Sequence, residues 1–132
     1  MLYDSATNTT LGIQMLLLLT AAIANEPADL VGTWDVKMTA NYSTCDVVTR
    51  GDINAQQWIV SVKSGALTVT VVNEDNNYVG KINEKGSVIL VDKRDNHLAT
   101  VELTGTPARL TGRRVVANNG PCAIIYDIEL TH

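Results

Sequence analysis

The chain has 132 residues, a length that suits one domain with a single hydrophobic core. Its fourteen acidic side chains outnumber ten Lys and Arg, for a formal net charge of −4, and the absence of a basic patch excludes nucleic acid as the expected partner. There is no Phe, whereas Val, Ile, Leu and Thr are frequent between turn residues, and this composition favours an all-β protein.

An apolar run near the N-terminus is the first predicted element. It covers residues 15–24 and ends in Ala22-Ile23-Ala24, which is typical of the cleavage site of a secretory signal peptide. The run is too short to cross a bilayer as a helix, which takes ~20 apolar residues. We predict that residues 1–24 are a signal peptide, or an apolar helix kept in the mature protein. Residues 25–132 are predicted to form a single domain that is secreted or periplasmic.

Eight short segments with alternating apolar and polar residues follow. In the first of them, Trp34, Val36 and Met38 are separated by single polar residues, the pattern of a strand with one buried and one wet face. Turn residues join the segments and no helix-length segment interrupts them, so neighbouring strands are expected to pair antiparallel in sequence order. The predicted strands are 31–42, 57–63, 66–73, 78–82, 87–92, 98–104, 109–117 and 122–131.

The two cysteines decide between an open sheet and a closed barrel. Cys45 follows strand one and Cys122 begins strand eight, so in up-and-down order both lie at the same end. In an open sheet these strands would be about seven spacings of ~4.8 Å apart, whereas a disulfide needs Cα atoms within ~7 Å. Two free buried thiols are the alternative. Behind a secretory leader we predict the disulfide, and therefore a barrel in which strand eight lies beside strand one.

The triplet Gly32-Thr33-Trp34 stands at the start of strand one. It resembles the Gly-X-Trp motif of the lipocalins and their calycin relatives, which are eight-stranded antiparallel up-and-down barrels. The resemblance implies that Trp34 closes the base of the barrel. It also implies that the opposite end is a mouth partly covered by a long first loop, here residues 43–56.

The lipocalin family packs a basic residue over this tryptophan. That residue comes from near the end of the last strand, where this chain has only Thr131 and His132. Arg113 or Arg114, on strand seven, is therefore the expected substitute.

No group of residues has the spacing of a catalytic or metal site. The only histidines are His97 and His132, so neither a His-based nucleophile pair nor an ordinary zinc site can be assembled. The acidic residues on strands alternate outward, as Asp35, Glu102 and Asp127 do. We predict that the protein is not an enzyme and takes no cofactor and no metal.

The residues that face inward form the predicted ligand site. The interior of an eight-stranded barrel is just wide enough to be filled by side chains or to hold one small ligand. We predict that the protein binds a small, mostly apolar molecule at the mouth or within the barrel. The alternative is a filled barrel that acts as a protein-interaction or inhibitor-like module, through its first loop or its outer apolar face. In the register that buries Trp34, the predicted ligand-binding residues are Val36, Met38, Trp58, Tyr78 and Tyr126.

Several strands carry apolar side chains on both faces, and residues 87–91, SVILV, are an example. The outside of a barrel that faces water should be polar, so something is expected to cover this face. The leader helix, a second subunit or a target protein could each do so. We predict a possible homo-oligomer through the outer apolar face around Ile89 and Val91, and no membrane span.

Overall fold

A closed antiparallel barrel is the architecture of the computed structural model, which describes residues 26–118 and 121–132. Each strand pairs with its neighbours in sequence order, and β8 pairs with β1. The predicted fold class is therefore confirmed. The predicted leader, residues 1–24, lies outside the described residues, and within those residues no helix is both long and apolar enough to cross a membrane. The strands are β1 Gly32–Ser43, β2 Ile53–Lys63, β3 Ala66–Val71, β4 Asn77–Ile82, β5 Val88–Arg94, β6 His97–Thr106, β7 Arg109–Asn118 and β8 Ala123–Thr131.

The alternation read from the sequence separates the core from the surface. Successive side chains of a strand point to opposite faces, and in β1 the residues Trp34, Val36 and Met38 are buried while the residues between them are exposed. The acidic residues Glu102 and Asp127 lie on the exposed face of their strands, as predicted. One hydrophobic core therefore fills the inside of the barrel.

Closure of the barrel depends on the contact between β1 and β8. Met38 lies opposite Ile128 in the ladder that joins these strands. The Cys45–Cys122 disulfide connects the same two strands just beyond the ladder, with its Cα atoms 4.9 Å apart. The predicted disulfide is confirmed, and it holds together the first and last strands of the sheet.

The second strand begins earlier than its sequence pattern predicts. It starts at Ile53 rather than at Gln57, so the first loop is shortened from residues 43–56 to residues 44–52. Residues 53–56 are exposed or half-buried and show no alternation of burial, yet they continue the ladder with β1 as far as Thr39. Their strand conformation is determined by pairing with β1 and not by a buried face of their own.

Trp34 closes the end of the barrel at which β1 begins, which we call the base. Its side chain has no exposed area, and its Nε1–H donates a hydrogen bond to the carbonyl oxygen of Leu30, 2.9 Å away. Leu30 ends a short 3-10 helix, Pro27–Leu30, that precedes β1. The loop 44–52 lies at the opposite end, the mouth.

The basic ring over Trp34 comes from His132, and the expectation that Arg113 or Arg114 takes this place is wrong. The ring centroids of His132 and Trp34 are 3.6 Å apart, and His132 Nδ1 lies 3.0 Å from the carbonyl oxygen of Thr33. Arg113 is exposed, and Arg114 lies inside the barrel. The chain direction explains the result, because β8 runs antiparallel to β1 and so ends beside its start.

Gly32 explains the first position of the Gly-X-Trp triplet. Its φ is +139°, a conformation that glycine adopts readily and that strains other residues. A Cβ atom at this position would lie 3.4 Å from Cε1 of His132. That distance is an ordinary van der Waals contact, so the positive φ, and not the space beside His132, explains the glycine at the start of β1.

Candidate functional site

The structure brings the five predicted ligand-binding side chains together inside the barrel. The rings of Trp58 and Tyr78 are in contact at a tilt of 35°, with their centroids 5.1 Å apart, and Trp58 Nε1–H donates to the side-chain oxygen of Gln56 at 2.9 Å. This placement follows from the alternation, and by itself it does not show contact with a ligand. The five buried residues are Val36, Met38, Trp58, Tyr78 and Tyr126.

The space between these side chains decides what the interior can hold. A cavity of about 10 Å³ lies at the base among apolar side chains that include Leu30, Trp34 and Trp58, which is about the volume needed for one water molecule. Ligand pockets enclose ~300–1,000 Å³. A pocket of that size would leave its lining accessible to water, yet Met38 and Tyr78 are only 1% exposed. Side chains therefore fill the described interior.

A buried arginine lies toward the mouth, and the sequence analysis did not place it there. Arg114 is 8% exposed, and its Nε–H donates a hydrogen bond to the hydroxyl oxygen of Tyr78 at 2.7 Å. Its guanidinium carbon lies 5.3 Å from the ring centroid of Tyr126, within the range of a cation–π contact. The alternation of side chains along β7 could have predicted this position, because it places Arg114 on the same face as the buried Leu110 and Val116.

Asp92 is a second buried charge, at the mouth end of β5. Its carboxylate accepts hydrogen bonds from Arg94 at 3.2 and 3.1 Å, and His97 Nε2 lies 3.5 Å from it. Arg94 also donates to the side-chain oxygen of Asn76 at 2.9 Å. These contacts join the β5–β6 hairpin to the loop before β4. We interpret this group as part of the barrel's own structure, because its polar atoms bond to one another.

The environment of Tyr78 makes its ionisation unfavourable. Burial raises the pKa of its hydroxyl above the ordinary value of 10.0, although the nearby Arg114 guanidinium partly opposes this effect. The unfolded chain therefore releases this proton at a lower pH than the folded chain. The stability contributed by the protonated hydroxyl is complete below pH 10.0 and is lost as the pH rises through the folded-state pKa.

We expect the free energy of unfolding to fall more steeply with pH in the wild type than in Tyr78→Phe once the pH rises above 10.0. Urea denaturation at a series of pH values measures the two slopes. Tyr42→Phe is the matched control, because Tyr42 is exposed, and it should behave as the wild type does. Equal slopes for the wild type and Tyr78→Phe would contradict the raised pKa.

The first loop, residues 44–52, is held at both ends. At its start, beside the disulfide, the N–H of Thr44 donates to the carbonyl oxygen of Ala123 at 3.0 Å, and the N–H of Ala123 donates to the Thr44 hydroxyl at 2.9 Å. At its end, the N–H of Gly51 donates to the carbonyl oxygen of Ala40 at 2.8 Å. Both ends of the loop are therefore attached to the barrel.

Exposed apolar side chains concentrate in and beside this loop. Val47 is 90% exposed, Ile53 is 64% exposed and Tyr42 is 51% exposed. Among the described residues, these are three of the four most exposed large apolar side chains, and Val79 is the fourth. Val48, next to the most exposed of them, packs against the core. Residues 42–53, which we call the mouth segment, therefore combine fixed ends with an apolar surface.

The predicted outer apolar face lies on another side of the barrel. Val79 and Val91 are exposed, and with the half-buried Ile89 they line an open groove of about 470 Å³. Apolar side chains on both faces of these strands are thus confirmed. Self-association through this groove stays a prediction.

Comparisons of this chain with protein-family models, with curated proteins and with solved structures found no match. Its closed barrel of eight antiparallel strands fits a lipocalin-like fold. A fold does not determine a function, so the surfaces of the molecule must carry the functional argument.

Proposed function

We propose that this chain is a protein-interaction module, a filled barrel that presents the mouth segment to a partner protein. The observation that carries the proposal is Val47, which is 90% exposed on a loop whose two ends are fixed. Tyr42 and Ile53, at the two ends of the mouth segment, are exposed apolar side chains as well, and exposed apolar surface marks interaction sites. A loop that is already ordered loses little conformational entropy when it binds.

The packing of the interior supports this function over binding deep in the barrel. The inward Trp58 and Tyr78 contact each other, and with the other buried side chains they occupy the space that a ligand would need. The lipocalin-like architecture then acts as a rigid support, and specificity comes from the loop that it carries.

A second candidate function is small-molecule binding at the mouth. An open depression of about 370 Å³ lies there, bordered by Tyr126, Val48 and residues 52–55. Its volume falls in the range of ligand sites, and Tyr126 is one of the predicted ligand-binding residues. A small apolar ligand therefore stays a prediction for this depression.

We also propose a secreted or periplasmic location. The Cys45–Cys122 disulfide supports it, because disulfides persist in oxidising compartments and are rare in the cytosol. That the protein is not an enzyme also stays a prediction.

The Val47→Asp variant tests the proposed function. A charge at the centre of an apolar contact should weaken partner binding by at least ~2 kcal/mol, about 30-fold. The partner is first obtained by cross-linking the wild-type protein in an extract of secreted and envelope proteins, and its affinity is then measured with purified components. Val79→Asp is the matched control, because Val79 is also exposed and apolar but lies outside the mouth segment. Equal weakening by both variants would contradict the proposal.

A fluorescent apolar probe separates the two candidate functions. Binding in the mouth depression should be saturable, should be weakened by Tyr126→Ala, and should be displaced by competing apolar molecules. We expect no saturable binding, because the depression is open and buries little of a ligand. Saturable binding together with no partner dependent on Val47 would favour the second candidate.

A further inference from the structure

The second strand extends beyond its neighbour at the mouth. The ladder between β2 and β3 ends where Trp58 lies opposite Val71, whereas β2 itself begins at Ile53. Residues 53–56 pair with β1 on one side. On the other side, none of the strands in the described part of the chain lies against them.

The direction of the backbone groups can be read from one hydrogen bond. The carbonyl oxygen of Gln57 accepts a bond from the N–H of Val72 at 2.9 Å, so the backbone groups of Gln57 point away from β1. In an antiparallel ladder the backbone groups of successive residues point to opposite sides. The N–H and C=O groups of Ile53 and Ala55 therefore point the same way as those of Gln57, toward the open side. We call residues 53–56 with these four groups the β2 edge.

The β2 edge is short, but it lacks the side chains that natural proteins use to protect an edge. Such edges usually carry Lys, Pro or inward-pointing charges that prevent another strand from pairing. Here the sequence from residue 53 to 56 is Ile-Asn-Ala-Gln, which is uncharged and contains no proline. Ile53 is exposed, so a second strand can approach.

An open groove of about 780 Å³ runs beside the β2 edge and across the outer face of β1 and β8. Three carboxylates, those of Asp35, Glu74 and Glu129, line it against one ammonium group, that of Lys37. Arg109 already pairs with Glu129 at 2.7 Å. Two carboxylates and the Lys37 ammonium group then remain, so the groove carries a net charge of −1.

Both remaining carboxylates lie next to β2. Glu74 accepts a hydrogen bond from the side-chain nitrogen of Gln56 at 3.1 Å. Asp35 accepts one from the side-chain nitrogen of Gln57 at 3.3 Å. Asp35 and Lys37 both lie on β1, across β2 from an added strand, with Lys37 opposite Ala55. Glu74 is therefore the carboxylate that a basic side chain on the added strand would meet, near Gln56.

We propose that the β2 edge binds an extended, basic segment of a partner protein by β-strand addition. This inference rests on the proposed function and specifies how a partner is held. The backbone groups of Ile53 and Ala55 pair with the added strand, while Glu74 selects Lys or Arg on it. The mouth segment ends where the β2 edge begins, so one partner can contact both.

A second copy of this chain is a less suitable occupant. Two β2 edges paired with each other would bring acidic groups of both copies, such as Glu74, close together. Like charges across an interface oppose association. Self-pairing is therefore an outcome that the experiment must detect, and it would contradict the proposal.

The experiment follows the backbone amides of the full chain by hydrogen exchange in NMR spectra. The probe is a short peptide in which Lys and Val alternate, and the control is the peptide with Glu in place of Lys. At a peptide concentration of about ten times Kd, exchange at Ile53 and Ala55 should slow about tenfold, because only the free protein exchanges there. The Glu peptide should cause no slowing.

Two variants identify the groups that bind the peptide. Ala55→Pro removes an N–H that points to the open side and should abolish binding, whereas Ala55→Ser keeps the N–H and should bind as the wild type does. Glu74→Gln tests the proposal even if the Ala55→Pro variant does not fold. It should weaken binding of the Lys peptide by up to about fivefold.

Three results would overturn the proposal. The first is that the Lys peptide does not bind the wild type. The second is that it still binds a folded Ala55→Pro variant. The third is that the amides of Ile53 and Ala55 are protected from exchange in the free protein and lose this protection on dilution. The last result indicates self-pairing. Absence of peptide binding together with Val47-dependent partner capture would overturn the β2 edge and leave the proposed function. Peptide binding with no Val47-dependent partner would overturn the proposed function and leave the β2 edge as a binding site.

Discussion

Replacing Trp34 by alanine should lower the free energy of unfolding by about 3 to 5 kcal/mol, the range for emptying a large aromatic site in a core. Trp34 has no exposed area and contacts the cavity at the base, so its removal enlarges a space that the neighbouring side chains cannot easily fill. It also removes the N–H that bonds to Leu30. Urea denaturation, followed by the fluorescence of the remaining Trp58, measures the loss.

Ile59→Ala is the matched control for this prediction. Ile59 lies on β2 directly opposite Thr33 in the ladder and is 46% exposed, so its truncation should cost less than ~1 kcal/mol. A loss below ~1 kcal/mol for Trp34→Ala would show that this residue does not close the base. The likeness to the Gly-X-Trp motif would then be a coincidence.

Removal of the disulfide should cost about 4.5 kcal/mol. The bridge joins positions 77 residues apart, and the chain-entropy model assigns this amount to a closed loop of that length in the unfolded state. Since natural domains unfold with only ~5 to 15 kcal/mol, the variant Cys45→Ser/Cys122→Ser should be only marginally folded. Guanidinium denaturation of this variant and of the wild type gives the difference.

Two controls accompany the disulfide experiment. The wild type in excess reductant should match the double variant, because both lack the same constraint. Titration of the unreduced, denatured wild type should find no reactive thiol. Two titratable thiols would mean that the barrel is closed by the β1–β8 ladder alone.

The eight strands could be predicted because each has a buried face, and burial imposes the period of two. The start of β2 could not, because residues 53–56 extend beyond β3 and have no buried face. Their strand conformation comes from the partner strand β1, whose position depends on how the barrel closes. The same residues form the β2 edge, so the proposed binding site arises where the local pattern was uninformative.

The candidate site was predictable in part for the same reason. Alternation determines which side chains point inward, and it placed Trp58, Tyr78 and Tyr126 correctly. It applies equally to polar residues, and it would have placed Arg114 inside as well. The position of His132 over Trp34 needed a second element, because it depends on where β8 ends relative to β1.

By itself the sequence determined the fold class, the antiparallel order and the Cys45–Cys122 disulfide, because these follow from local alternation, turn residues and the reach of a covalent bond. The tertiary structure alone decided whether the barrel is hollow. The free volume inside is a small difference between the space that eight tilted, staggered strands enclose and the volume of the side chains that point into it. No local pattern specifies tilt and stagger. For that reason only the assembled barrel showed that the interior is filled. The candidate binding surfaces are therefore the mouth segment and the β2 edge.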